Sequence, residues 1–183
     1  MRVPQTIATN DSEVARAFCR DVGRVVVKSL SSPRAILGGV EHILFTTAVP
    51  EDDFDALADG VNVVPVIVQQ HIEKRLDLRV TVVGSRVFAV AIHSQHCAGA
   101  RVDWRAASET ELVEELYELP EEVEASCHRL CGALGLSFGA IDLALDTDGN
   151  HWFFEVNPNG QWAWLQVKNA VPISKAIADY LCG

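Results

Sequence analysis

Apolar positions alternate with polar ones on both sides of a turn signal, Asp148-Gly149, in the stretch I-D-L-A-L-D-T-D-G-N-H-W-F-F-E-V-N from Ile141 to Asn157. Two such runs joined by Asp-Gly predict a β-hairpin. Counting outward from a two-residue turn pairs Asn150 with Thr147, Trp152 with Leu145, Phe154 with Leu143 and Glu155 with Asp142. Asn157 lies two residues beyond Glu155, so a strand's period of two puts it on the same face as both carboxylates. The same reading extends along the chain. Asn10-Asp11-Ser12 caps a helix over Glu13–Val22 that Gly23 closes. A short strand, R-V-V-V-K-S-L, follows and carries one lysine, Lys28. A loop rich in small and turn-forming residues, S-S-P-R-A-I-L-G-G-V, comes next. A second sheet is predicted to open at Val63 with V-V-P-V-I-V-Q-Q-H-I and to continue as a hairpin turning at Gly84-Ser85. The segment from Pro120 to Leu136 has helical spacing, with Val123, Cys127, Leu130 and Leu134 on one stripe and glutamates in the first turn.

The pattern is mixed α/β with no repeat and no low-complexity linker. At 183 residues, 49% hydrophobic and with mean hydropathy +0.14, the chain is long enough for one substantial core or two small subdomains. Fifteen Lys and Arg against 25 Asp and Glu give a net charge of -10, which argues against DNA or RNA as a partner, since such binding rests on a basic surface. Local basic residues can still hold one nucleotide. Five cysteines and no signal peptide fit reduced thiols and a cytoplasmic location, and no apolar run reaches membrane-spanning length.

The hairpin carries the sharpest chemistry. Two carboxylates facing each other across a sheet repel. A divalent cation relieves that, and Asp142, Glu155 and the Asn157 amide oxygen are hard ligands suited to Mg²⁺. The plainer reading is a solvated hairpin with outward acids, and a one-residue slip would break the arrangement. Cys127 and Cys131, with His128 between them, read as buried small residues of the amphipathic helix rather than as zinc ligands. His93 and His96 lack the i, i+4 spacing of a zinc-protease helix. Asp77 and Arg79 share a strand face, either as an exposed ion pair on an edge or with the arginine fork aimed at phosphate oxygens. Arg105, in Asp103-Trp104-Arg105, carries the same two readings.

Taken together, Q-Q-H-I-E-K-R-L-D-L-R-V-T-V-V-G, S-Q, D-W-R, Y-E-L-P-E-E, F-G-A-I-D-L and F-F-E-V-N-P-N-G-Q-W-A-W-L resemble the ATP-grasp superfamily. Within it they resemble the RimK-like ribosomal peptide maturases, which include the microviridin-type ligases. The resemblance implies an α+β ATP-grasp fold, with two subdomains of mainly antiparallel sheet gripping a nucleotide. These would be 1–68, with the strand lysine and flexible loop, and 69–183, with the hinge, arginines and metal site. It implies Lys28 on the ATP phosphates, Gln70, His71 and Ile72 around adenine, Asp77 near the ribose, and Phe154 packed against the base or the core. Arg79 and Arg105 would act on the transferring phosphoryl group, and Asp142, Glu155 and Asn157 would bind Mg²⁺. ATP and two Mg²⁺ ions are then the implied cofactors.

The implied activity is ATP-dependent carboxylate ligation through an acyl phosphate, forming amide or ester cross-links in a ribosomally made precursor peptide. Trp162, Trp164 or the acidic stretch from Glu111 to Glu124 would lie near that peptide, unless the tryptophans are core. Family members carry a further N-terminal domain before the segment that here reads M-R-V-P-Q-T-I-A-T-N. The expected partners are therefore the precursor peptide and either a second copy of the chain or a separate N-terminal domain. The alternatives are an ATP- or peptide-binding module without independent activity, and a RimK-like amino-acid ligase.

Overall fold

The computed structural model describes residues 1–30, 34–50, 58, 60–108 and 111–183. These residues divide into two compact units, one of Pro4–Ile72 and Gly99–Ala107, the other of Met1–Val3, Glu73–Ala98 and Ser108–Gly183. The chain passes between units after Ile72 and returns to the first for 99–107, whereas the sequence suggests a single boundary at 68/69.

The first unit is built on a four-stranded antiparallel sheet of β1 (Thr6–Thr9), β2 (Val25–Ser29), β5 (Thr47–Val49) and β6 (Val66–Gln70), in the order β1-β6-β2-β5. One face packs on helix α1 (Ser12–Val22), where Ala15 and Cys19 meet Val25, Val49, Val61 and Val68. Asp11 caps α1 by accepting from the Glu13 and Val14 amides, and Gly23 ends it at φ 84°. Val66–Gln70 therefore belongs to the first sheet and does not open a second one. Its apolar run pairs with β1 and β2, a long-range choice that local periodicity does not encode. The loop predicted after Lys28 is, in its described part, a hairpin of β3 (Arg34–Leu37) and β4 (Val40–Ile43). Gly38 and Gly39, at φ 59° and 82°, supply the two positive-φ positions of a tight turn. Residues 31–33 of that loop lie outside the described residues.

The second unit is a five-stranded antiparallel sheet of β7 (Lys74–Val83), β8 (Arg86–Ile92), β9 (Glu114–Leu116), β10 (Phe138–Asp146) and β11 (His151–Asn157), in the order β11-β10-β7-β8-β9. One face buries Leu78, Val80, Val82, Ile141, Leu143 and Leu145 against α2 (Glu121–Ala133), which contributes Val123, Cys127 and Cys131. Both cysteines are thus core residues, and burial pushes the Cys127 thiol up to about 11. The helix ends at Ala133, so Leu134 leaves the predicted stripe and is 54% exposed. The other face is apolar at one end, where Val83, Val90, Leu165, Val171, Ile173 and Ala176 pack with α3 (Ala163–Asn169) and α4 (Ile173–Cys182). Trp162 and Trp164 pack against that cluster, which is the core role weighed for them above. No helix among the described residues is long and apolar enough to cross a membrane.

The β10–β11 hairpin differs from the simple count in two places. Asp146 N–H donates to the Asn150 carbonyl and Gly149 N–H to the Asp146 carbonyl, so the loop is three residues long, with Gly149 at φ 85°. The Asp146 carboxylate builds this loop by accepting from the amides of Asp148 and Asn150, the Asn150 side chain and Trp152 Nε1. Burial would raise its pKa, but those donors hold it at about 2. The longer loop shifts the pairs to Leu145–His151, Ala144–Trp152 and Leu143–Phe153. The pairs predicted between Leu145 and Trp152 and between Leu143 and Phe154 are therefore each off by one. A β-bulge at Phe154 then takes up one residue and restores Asp142 opposite Glu155.

Candidate functional site

Strand β7 lies at the centre of the five-stranded sheet, and its alternation sends Leu78, Val80 and Val82 to the α2 face and Asp77, Arg79 and Thr81 to the other. On β10 the same face takes Ala140, Asp142 and Ala144. Register then sets one row across the sheet: Val90 on β8, Arg79 on β7, Asp142 on β10 and Glu155 on β11. One step along, Thr81, Ala140 and Asn157 form the next row. The three proposed oxygen donors are thus neighbours on one face, as the sequence predicts. Beside them lies a cation whose place in the sheet the sequence left open.

Arg79 is neither exposed nor on an edge. Only 7% of it is accessible, because β10 and β8 flank its strand and the segment after β11 folds back over it. Its Nη1 donates to Asp142 Oδ1 at 2.8 Å and its Nη2 to the Gln161 carbonyl at 3.1 Å. Among the described residues its Nε and the Thr81 hydroxyl are buried polar atoms with no hydrogen-bond partner. Asn157 opens the covering segment, its Oδ1 accepting from the Asn159 amide at 2.8 Å. Gly160 closes it so tightly that a Cβ there would lie 2.3 Å from Ala140 Cβ and 2.8 Å from Arg79 Nη2. Gly160→Ala is therefore expected to lower stability by about 1–3 kcal/mol through overpacking, read as a fall in melting temperature. The sequence reading missed Gly160, although its place in N-P-N-G-Q directly after the donor strand is the available signal.

Asp77 pairs with Lys74 and not with Arg79. Lys74 Nζ lies 2.7 Å from Asp77 Oδ1 and Ser94 Oγ donates to Asp77 Oδ2 at 2.5 Å, with only about 6% of either charged side chain accessible. An irregularity where Lys74 pairs with Asp146 brings Lys74 to the Asp77 face, three residues away. Burial pushes the Asp77 carboxyl above its usual range, with the Lys74 ammonium opposing. Phe154 is half-buried at the bulge. Glu155 and Asn157 are exposed, whereas Asp142 is 9% accessible.

The remaining predicted residues lie in the first unit. Lys28 donates from Nζ to Gln69 Oε1 at 2.8 Å, and Gln69 in turn donates to Thr6 Oγ1. Gln70 ends β6, its amide bonded to the Gln5 carbonyl. His71 N–H reaches the Arg24 carbonyl, and Ile72 is buried. Arg105 holds Asp103 with a two-bond fork, Nε to Oδ1 at 2.8 Å and Nη2 to Oδ2 at 2.9 Å, while Asp103 also accepts from the Thr46 amide. Burial raises the Asp103 pKa and the Arg105 contacts outweigh it, so the carboxyl lies below its usual range. Among the described residues no three His, Cys, Asp or Glu side chains cluster as a metal site, and the donor set on β10 and β11 counts two carboxylates and one amide.

An α+β chain of two antiparallel-sheet units, with a paired Asp and Glu and a following Asn on adjacent strands, has the ATP-grasp fold. The chain belongs to the RimK-like ATP-grasp domain family, whose model matches residues 1–181. A RiPP-associated ATP-grasp ligase from Chryseobacterium gregarium, solved with ADP and a leader and core peptide, is 34% identical with TM-score 0.90, over 99% of this chain and 55% of that one. The macrocyclase MdnC from Microcystis aeruginosa MRC, bound with precursor peptide MdnA, is 34% identical with TM-score 0.82, over 100% and 56%. The ATP-grasp ligase PsnB, solved with a minimal precursor, Mg and ADP, is 25% identical with TM-score 0.74, over 98% and 54%. This chain thus spans little more than half the length of these relatives. No curated protein matches it.

Proposed function

We propose that the chain is the ATP-grasp portion of a ligase that uses ATP and Mg²⁺ to activate a carboxylate of a ribosomally made precursor peptide and join it as an amide or ester. The observation that carries this is the row Arg79, Asp142 and Glu155 with Asn157 one step on. Two carboxylates and an amide oxygen on adjacent strands fit Mg²⁺, a hard cation that keeps several waters and shares the rest of its shell with phosphates. The relatives solved with ADP, Mg and precursor peptides support the same reading.

Bound Mg²⁺, which we take as two ions, would neutralise phosphate charge during phosphoryl transfer. The chain's own residues have the complementary tasks. Asp142, Glu155 and Asn157 hold the cation, while Arg79 and Arg105 offer guanidinium groups to the transferred phosphoryl group. Lys28 meets the ATP phosphates. Gln70, His71 and Ile72 hold adenine, and Phe154 packs by the base. The substrate carboxylate attacks the γ-phosphorus, ADP leaves, and an amine or hydroxyl then displaces phosphate from the acyl phosphate. This sequence needs alignment and charge neutralisation but no protein nucleophile. We assign Asp77 to the ribose end, where Lys74 and Ser94 engage its two oxygens.

Calorimetric titration of the chain with a non-hydrolysable ATP analogue, with and without Mg²⁺, tests the reading. Binding that strengthens with Mg²⁺ supports it, and absence of binding by the folded chain counts against it.

A further inference from the structure

Arg79 is an unusual neighbour for a cation site, because it is charged, buried and fixed. Its guanidinium is tied to Asp142 on one side and to the Gln161 carbonyl on the other. The Gly160 backbone closes over Nη2 with no room for even a methyl group. The group cannot swing away from the donors as a surface arginine would. With Asp142 and Glu155 it leaves the row a net charge of -1, and although Glu155 is exposed, only 8% of the arginine side chain and 13% of the Asp142 side chain are accessible. A divalent cation alone would turn that to +1 beside a fixed guanidinium. Low accessibility reduces screening, so the repulsion is felt. A phosphate entering with the cation brings the sum back below zero.

We propose that Arg79 couples the two ligands of this site, keeping the affinity of Asp142, Glu155 and Asn157 for a bare divalent cation low until an anionic phosphate ligand binds with it. The inference rests on the reading of the row as a Mg²⁺ and phosphate site. By linkage, the cation strengthens phosphate binding by the same factor as the phosphate strengthens cation binding. Arg79 then acts here as a positioning residue for charge, which sets what the donors accept.

Mn²⁺ titration followed by electron paramagnetic resonance tests this, with and without a non-hydrolysable ATP analogue and corrected for metal held by free nucleotide. In the parent chain Mn²⁺ alone binds weakly and the analogue tightens it. R79Q, which keeps a donor but removes the charge, binds Mn²⁺ alone more tightly by on the order of tenfold and loses most of the coupling. R79K, which keeps the charge, stays near the parent. Structural damage would weaken metal binding, so the expected sign separates the two causes. R79M serves as the neutral variant should the glutamine chain fail to fold. A folded neutral variant that binds Mn²⁺ alone no better than the parent overturns the proposal, while tight binding with the analogue in the parent would leave the metal site standing. A parent that takes no Mn²⁺ even with the analogue removes both.

Discussion

Glu155→Gln is expected to weaken Mg²⁺-dependent binding of an ATP analogue by on the order of 100-fold, about 2.7 kcal/mol, while the melting temperature changes little. On the proposed reading the ligand loses a donor while the fold loses little. Glu155 faces Asp142 directly across the hairpin, where like charges repel, and it is exposed, so little packing is lost with the charge. Calorimetry for the ligand and thermal denaturation for the fold together decide the case. Equal affinity in variant and parent would remove Glu155 from the metal site, whatever the stability.

Asp77→Ala is expected to have the larger effect on folding, a loss of about 3–5 kcal/mol, because it removes the carboxylate that pairs with the buried Lys74 ammonium. The Ser94 hydroxyl loses its acceptor in the same step. At about 2–4 °C per kcal/mol for a chain of this size, the melting temperature should fall by roughly 10 °C. The double variant Lys74→Met/Asp77→Leu removes both charges and is expected to recover most of that loss, since apolar residues of similar volume often replace a buried pair with little penalty. Nucleotide titration of the double variant separates packing from binding. Parental stability with lost affinity would place this pair at the nucleotide, and unchanged affinity would make it purely structural.

How much of this was legible in the sequence depended on the range of the interaction that decides each feature. Helix α1 was readable because its cap and its terminal glycine are adjacent to it in sequence. The β7–β8 hairpin was readable because Gly84-Ser85 lies at its turn. The opposition of Asp142 and Glu155 was also readable, although the count behind it assumed a two-residue turn and no bulge. Asp146 was the hidden variable. Its carboxylate gathers four donors and lengthens the loop, which no hydrophobic pattern reports. The sheet membership of Val66–Gln70 was not readable, because an apolar run specifies a buried strand without specifying its neighbours. The burial of Arg79, which excludes its reading as an exposed edge ion pair, was not readable for a related reason. Its burial and its bond to Asp142 come from a strand 63 residues away, and local spacing gave only the choice between an edge ion pair and a phosphate fork.

The loop and the bulge have a consequence for comparing chains of this kind. With its three-residue loop the hairpin holds one residue more than its pairing needs, and the surplus is absorbed at Phe154 before the strand reaches Glu155. A version lacking that residue would run without a bulge and still set its glutamate across from its aspartate. Length and register are therefore independent here, and a one-residue gap in an alignment at this point need not signal a displaced site. Asp142 and Glu155 keep their places relative to one another whichever loop length closes the hairpin.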